Sequence, residues 1–215
     1  MDQMVARPSP SNRKRAQRVR ATPLPERWTQ RLELSDGRIL TLRPIEPADA
    51  EPIRQTFPLL SPEEVRLRFL HPIKELKGDL LKRLTQIDPR SQFALVVAEP
   101  LPPGQALIGA VARLAIDEGT LRAEFAILVS RFLAGQGLGT LLMKQLIRWA
   151  RLKCLDEIYG DVLDENDAML GLADSLGFRR ESIPDEPGLV RVRLDVRPLS
   201  RRLSGAARLS RKSPD

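Results

Sequence analysis

The residue types that could do chemistry in this chain gather between residues 123 and 153. Ala123-Glu-Phe-Ala-Ile-Leu-Val129 reads as a strand, Ala134-Gly-Gln-Gly-Leu-Gly-Thr140 as a tight glycine loop, and the amphipathic run to Lys153 as a helix. Gly135, Gly137 and Gly139 fall at alternate positions just before and inside the first helical turn. With no side chains there, the unpaired amides of that turn can approach a phosphate closely, and the helix dipole favours the negative charge. Glu124 lies on the strand that feeds the loop. A phosphate cradle beside a strand-borne carboxylate implies a phosphorylated cofactor next to proton-transfer chemistry.

The elements that must position these groups alternate along the chain. Arg31–Leu34 and Arg38–Arg43 flank Ser35-Asp-Gly37 as a hairpin. Glu46-Pro-Ala-Asp-Ala-Glu opens one helix and Ser61-Pro-Glu-Glu a second, with Ser61 as N-cap. A third helical stretch is expected near Leu76 to Ile87. Phe93–Ala98 and Ala106–Leu114 read as strands, and Asp117-Glu-Gly119 turns into the Glu124 strand. Leu138, Leu141, Leu142, Leu146, Trp149 and Leu152 form one helical stripe that must pack on the sheet. Glu157–Leu163 is a further strand, Asn166 to Leu176 a further helix capped by Gly177, and a last pair of strands follows.

Composition narrows the class. A chain of 215 residues with 42% hydrophobic content has enough for one substantial domain. No apolar run approaches the roughly 18 residues of a membrane span, and no apolar segment backs the basic N-terminus as a secretory signal requires. The single cysteine, Cys154, excludes an internal disulfide and fits a reducing cytoplasm, the expected location. One histidine and one cysteine do not make a His/Cys zinc set, and no metal is expected. The net charge of +7 is unevenly spread: residues 1–31 carry +6 and residues 197–215 carry +5, which leaves −4 for residues 32–196. Residues 1–25 and 197–215 are therefore expected to be basic tails around a domain spanning 26–196. Such tails often do nothing specific; transient contact with nucleic acid or an anionic surface is the sharper reading of their charge, without interleaved aromatics to support base stacking.

The glycine loop discriminates among phosphate-binding patterns. A Walker loop needs Lys-Ser/Thr after its last glycine, where this chain has Thr140-Leu141. A dinucleotide fingerprint needs its third glycine at position 140 and belongs at the first strand of a βαβ unit. What fits is Gly-x-Gly-x-Gly between strand and helix. With its neighbours, this spacing resembles the GNAT superfamily of N-acetyltransferases, whose members hold the acetyl-CoA pyrophosphate on a [Gln/Arg]-x-x-Gly-x-[Gly/Ala] loop. Ala134-Gly-Gln-Gly137-Leu-Gly139 matches it except at the first position, where alanine replaces Gln or Arg. Thr41–Ala50 and the Asn166-x-x-Met169…Leu176-Gly-Phe178 segment extend the resemblance over about residues 38–196. Within the superfamily, Arg68–Leu76, Leu84–Asp88 and Arg122–Val129 look closest to the catalytic domain of Pat-type protein lysine acetyltransferases. The regulatory or synthetase-like domains often fused in those enzymes have no counterpart in this sequence.

The resemblance implies an α/β (α+β) GNAT fold: a central mixed, mostly antiparallel sheet of about seven strands with helices on both faces. It implies a V-shaped opening after Glu124, where backbone near Leu128 and Val129 meets the pantetheine arm. Ala134, Gly135, Gln136, Gly137, Leu138, Gly139 and Thr140 would hold acetyl-CoA as co-substrate, and Asn166 would lie near its arm or only cap the helix that follows. Glu124 is the expected base. A lysine amine has a pKa of about 10.4 and must lose its proton before attacking a thioester, so a dehydrated carboxylate on a strand suits the task. The tyrosine that reprotonates the thiolate in many members is replaced by Ala173, so no general acid is named. His71, Cys154 and Trp149 read as structural, and Asp161 and Asp164 as solvated strand-end acids. The expected reaction is acetyl transfer to a primary amine, foremost a protein lysine, by direct attack in a ternary complex. The alternatives are a small-molecule amine acceptor, or a non-catalytic acyl-CoA-responsive module with nucleic-acid-binding tails.

Overall fold

The alternating apolar runs of the chain pair into one mixed sheet, seen in a computed structural model that describes residues 28–197. The expected tails lie outside the described residues, apart from Arg197. Eight strands take the order β1-β2-β3-β4-β5-β6-β8-β7, one more than the seven anticipated. They are β1 Gln30–Glu33, β2 Ile39–Pro44, β3 Gln92–Ala98, β4 Ile108–Ile116, β5 Arg122–Val129, β6 Glu157–Leu163, β7 Arg179–Ser182 and β8 Leu189–Asp195. All neighbours run antiparallel except β5 and β6, whose parallel pairing is bridged by a helix as parallel strands require.

Five α-helices occur among the described residues: α1 Ala50–Thr56, α2 Pro62–Phe69, α3 Gly78–Thr85, α4 Leu138–Leu152 and α5 Asp167–Ser175. The third is shorter than the Leu76–Ile87 stretch expected, because Gly78 opens it and Gln86 leaves the helical region at φ −97° and ψ 79°. Their start signals act as read. The Ser61 hydroxyl accepts from the Glu64 amide, and the Glu64 carboxylate accepts from the Ser61 amide, closing a capping box on α2. Before α1, the buried Asp49 accepts from both Arg43 terminal nitrogens at 2.7 Å and from the Glu46 amide at 2.8 Å. That pairing neutralises a charge that would be costly to bury alone.

Helices α1–α3 cover one face of β2–β4 through Ile45, Ile53, Phe57 and Val65, whereas α4 and α5 cover the other. Leu138, Leu142, Leu146 and Trp149 of the α4 stripe are buried, and Trp149 stacks on Phe93 with ring centroids 5.2 Å apart. Leu152 departs from the stripe and is 40% exposed, since it sits on the last turn as the helix leaves the sheet. No helix among the described residues is long and apolar enough to cross a membrane.

One packing detail shapes the sheet. Phe125 of β5 lies against β6 at Gly160, where an added Cβ would fall 2.8 Å from two of its ring atoms. Phe178 closes the other side edge-on, with ring centroids 5.6 Å apart. Gly160 is thus the space the Phe125 ring occupies. Gly160→Ala is expected to destabilise the fold by about 1–3 kcal/mol through overpacking, measurable as a lowered midpoint in urea unfolding with an unchanged m-value.

Candidate active site

The parallel pairing of β5 with β6 covers only Arg122 with Glu157, Ala123 with Ile158 and Glu124 with Tyr159. Beyond Glu124, β5 keeps its β4 partner through Val129 while β6 diverges. The free edge of β5 then lines a cleft of about 550 Å³. Its walls include Glu124, Leu128, Val129, Ala134, Gly135, Gly137, Leu138, Gly139, Thr140 and Asn166, and Arg68 and Phe69 of α2 contribute from above the β5 face. Of the base and cofactor-binding residues expected from the sequence, only Gln136 does not line the cleft. Its side-chain oxygen instead accepts from the Ser35 amide at 3.1 Å and from the Ser35 hydroxyl at 2.6 Å.

The glycine loop has the features of an anion cradle. Gly135 and Gly137 adopt φ +75° and +72°, a conformation L side chains rarely take, and nothing lies within 4 Å of a Cβ placed on either. Gly137 is the N-cap of α4 and offers no side-chain cap. The amides of residues 135–140 donate to no acceptor among the described residues. A pyrophosphate fits such a set of unpaired donors at a helix N-terminus. Alanine at 134 leaves this backbone set unchanged.

Three attachments fix the loop. Gln136 ties its apex to the β1–β2 turn. An Arg38 terminal nitrogen donates to the Phe132 carbonyl at 3.0 Å. Glu64 of α2 accepts from the Arg131 amide at 2.7 Å and from its guanidinium at 3.2 Å. Burial raises the Glu64 pKa, but hydrogen bonds from Ser61 and Arg131 outweigh it and hold the carboxyl below its ordinary value. Beneath the loop, Leu133 is buried against Gly109, where a Cβ would clash with it at 2.4 Å.

Glu124 sits at the last rung before the strands part, on an internal strand rather than a sheet edge. Its carboxylate has no hydrogen-bond or ion-pair partner among the described residues. It is reachable from solvent at the cleft mouth, yet the surrounding walls partly dehydrate it. Desolvation, then Asp161, then Asp117 raise its pKa above the ordinary value, while Arg68 and Arg191 pull the other way. Tyr159, its cross-strand neighbour, donates to Asp117 at 3.0 Å and lies between the Arg122 and Arg191 guanidiniums. Burial and that hydrogen bond push the Tyr159 hydroxyl up to about 12. Asp161 is held by Arg191 through two 2.7 Å bonds, so it is a paired acid and not the solvated one expected.

In the sequence Glu64 read only as part of a helix-start signal and Arg68 only as the first residue of a Pat-like segment. Burial, then repulsion from Arg113, lower the Arg68 pKa to about 10, opposed by Glu124. Asn166 accepts from the Met169 amide at 3.1 Å as the N-cap of α5 and also lines the cleft. Both readings of it are therefore compatible with its place. Ala173 is fully buried on α5. His71 is exposed beyond the end of α2, and Cys154 is a half-buried free thiol after α4.

Comparison with known proteins decides the family. The model of the acetyltransferase (GNAT) domain matches residues 40–179. The chain belongs to the GNAT acetyltransferases. An acetyltransferase of Pseudomonas aeruginosa is 34% identical over 163 residues, covering 75% of this chain and 85% of that one. Among solved structures, the GNAT domain of S. lividans PAT is 26% identical with a TM-score of 0.70, covering 80% of this chain and 99% of its own. The spermidine N-acetyltransferase from Vibrio cholerae, solved with CoA and spermine, is 23% identical with a TM-score of 0.57. It covers 73% of this chain and 95% of its own, and it shows the shared fold. This GNAT protein is an acetyl-CoA-dependent N-acetyltransferase by family.

If the Gln136 tether presets the loop, Gln136→Ala should weaken CoA binding about two- to tenfold, the worth of one net hydrogen bond. Calorimetric titration with CoA would read this, and the melting temperature should stay within about 2 °C of the parent.

Proposed function

We propose that this GNAT enzyme transfers the acetyl group of acetyl-CoA to a protein lysine, with Glu124 as general base. The observation that carries the reading is the unpartnered Glu124 carboxylate at the point where β5 and β6 separate, in one cleft with the free amides of residues 135–140. The loop amides hold the pyrophosphate of the co-substrate, and the free edge of β5 near Leu128 and Val129 pairs with the pantetheine arm. A backbone amide on that edge stabilises the oxyanion as the amine attacks. Glu124 takes the amine proton directly or through one water. Its raised pKa brings its basicity closer to that of the amine.

A protein acceptor is supported by the Pat-like segments Arg68–Leu76 and Arg122–Val129 and by the likeness to the GNAT domain of S. lividans PAT. The ground beside Glu124 favours it as well. Tyr159 and Asp161 remain partly accessible there, and the acids are already engaged, Asp161 by Arg191 and Asp117 by Tyr159. Beside Glu124 a free polycation would meet acids that already have partners among the described residues, whereas one lysine on a protein surface needs only a path to Glu124. The co-substrate leaves as a thiolate, which needs no acid at a thiol pKa near about 8.5. The expected compartment is the cytoplasm.

The test is acetyl-lysine formation, read by mass spectrometry, on a host-cell lysate supplied with acetyl-CoA and either the parent or Glu124→Gln. New sites are expected with the parent, and at least about 100-fold less product with the variant, in line with loss of a general base. On one identified acceptor, log kcat/KM should rise with pH along an acid limb whose pKa lies above the ordinary glutamate value of about 4.3. That limb should be absent in Glu124→Gln. Acetylation of small amines alone would reject the protein acceptor, and equal products from both forms would reject Glu124. CoA binding without transfer to any acceptor would favour a non-catalytic module, and salt-sensitive nucleic-acid binding lost on deleting residues 1–25 and 197–215 would then locate its partner.

A further inference from the structure

A second cavity, of about 70 Å³, lies under α1 and α2 on the Glu124 side of the sheet. Ile45, Ile53, Phe57, Leu60, Leu84 and Val111 are among the apolar residues of its wall. Only two polar side chains reach it. Thr56 turns its hydroxyl back onto the Pro52 carbonyl at 2.9 Å, and Arg68 stands at the boundary. A cavity lined this way offers water too few partners and stays dry.

Its position gives it meaning. Arg68, Phe69 and Leu128 line both this cavity and the cleft, so the two spaces meet at Leu128, where β5 presents its free edge. The Arg68 guanidinium lies over the Phe69 ring at 4.8 Å, and together they form the threshold between the spaces. In the proposed reaction, the thioester carbonyl lies beside Leu128. The carbon chain beyond that carbonyl then faces the cavity. We propose that this cavity is an acyl-chain subsite that lets the enzyme accept short unbranched acyl-CoA thioesters of three to four carbons as well as acetyl-CoA.

The inference rests on the placement of acyl-CoA in the proposed function and goes beyond it in naming the donor range. Size and shape set that range. A few methylenes fill the cavity, and the wall of Phe57, Leu60 and Leu84 ends it before a long chain could enter. The chemistry is unchanged: the amine nitrogen bonds to the thioester carbonyl carbon, the carbon–sulfur bond breaks, the amine proton passes to Glu124, and CoA leaves as thiolate. Only the group carried on the carbonyl grows.

Val111 reaches the cavity from β4 opposite Leu128, and Ile53 reaches it from α1; neither belongs to the catalytic or cofactor-binding set. The experiment is calorimetric titration of the full chain with CoA, acetyl-CoA, propionyl-CoA and butyryl-CoA, for the parent, Val111→Phe and Ile53→Phe. Burial of a methylene is worth about fourfold in affinity. Butyryl-CoA, with two more methylenes, should therefore bind the parent about 15-fold more tightly than acetyl-CoA. Each filled variant should cut that advantage below about twofold while binding CoA itself as the parent does. Thermal melts identify a variant that has lost its fold, and the other then carries the comparison. Affinity that stays flat from acetyl to butyryl in the parent overturns the subsite, as does an advantage that survives in a folded, filled variant. Absence of CoA binding overturns both this inference and the proposed function. A chain-length effect without transfer to any acceptor supports the subsite and rejects only the enzymatic reading.

Discussion

The separation of β5 from β6 after one short parallel stretch governs the rest of the molecule. A strand edge inside a protein leaves backbone donors and acceptors that must find partners. Here the edge from Phe125 to Val129 faces a cleft and not another strand. An extended, amide-bearing ligand can complete such an edge as an added strand would. The wedge that keeps the edge open is local and apolar. Phe125 occupies the side-chain space that Gly160 leaves empty, and Phe178 backs it. Because Glu124 precedes Phe125 by one residue, its carboxylate is placed at the vertex of the opening by the same packing.

The second requirement is a loop rigid enough to present its amides together. Glycines at 135 and 137 make the conformation accessible, but they also make the chain loose. The bonds from Ser35, Arg38 and Glu64 counter that looseness from two different parts of the fold. Glu64 is the most economical of these contacts. One carboxylate closes the cap of α2 and holds Arg131 at the loop entrance, so the helix over the acyl end of the cleft and the loop at its phosphate end share an anchor. Preorganised donors of this kind lose little freedom on binding, and that is where their advantage lies.

Much of this was legible in the sequence because the signals were local. Gly-Gln-Gly137-Leu-Gly before an apolar stripe specified a strand–loop–helix unit, and Ser61-Pro-Glu-Glu and Gly177 marked helix ends by rules that act over a few residues. The side-chain roles that depend on distant partners were not legible. Gln136 lies in the middle of the loop motif, yet its amide is used 101 residues away at Ser35. Asp161 read as a solvated acid until β8 brought Arg191 beside it. The cavity under α1 and α2 has no sequence signature, since residues as far apart as Ile45, Leu84 and Val111 come together only when the sheet and helices assemble.

The electrostatics beside Glu124 combine two demands that pull in opposite directions. A base benefits from a raised pKa, which burial and the nearby acids provide. Its lysine substrate benefits from a lowered one, because only the neutral amine attacks. Arg68, with Arg113 behind it, and Arg191 supply positive charge on the same side of the sheet. These cations temper the rise at Glu124, and they also disfavour an incoming ammonium relative to the free amine. The acids nearest the vertex already have partners, Asp161 in Arg191 and Asp117 in the Tyr159 hydroxyl. In the proposed reaction the environment therefore does not bind the charged substrate strongly. Burial and the nearby acids raise Glu124 toward the amine, and proton transfer to it becomes easier without a strongly basic residue in the site.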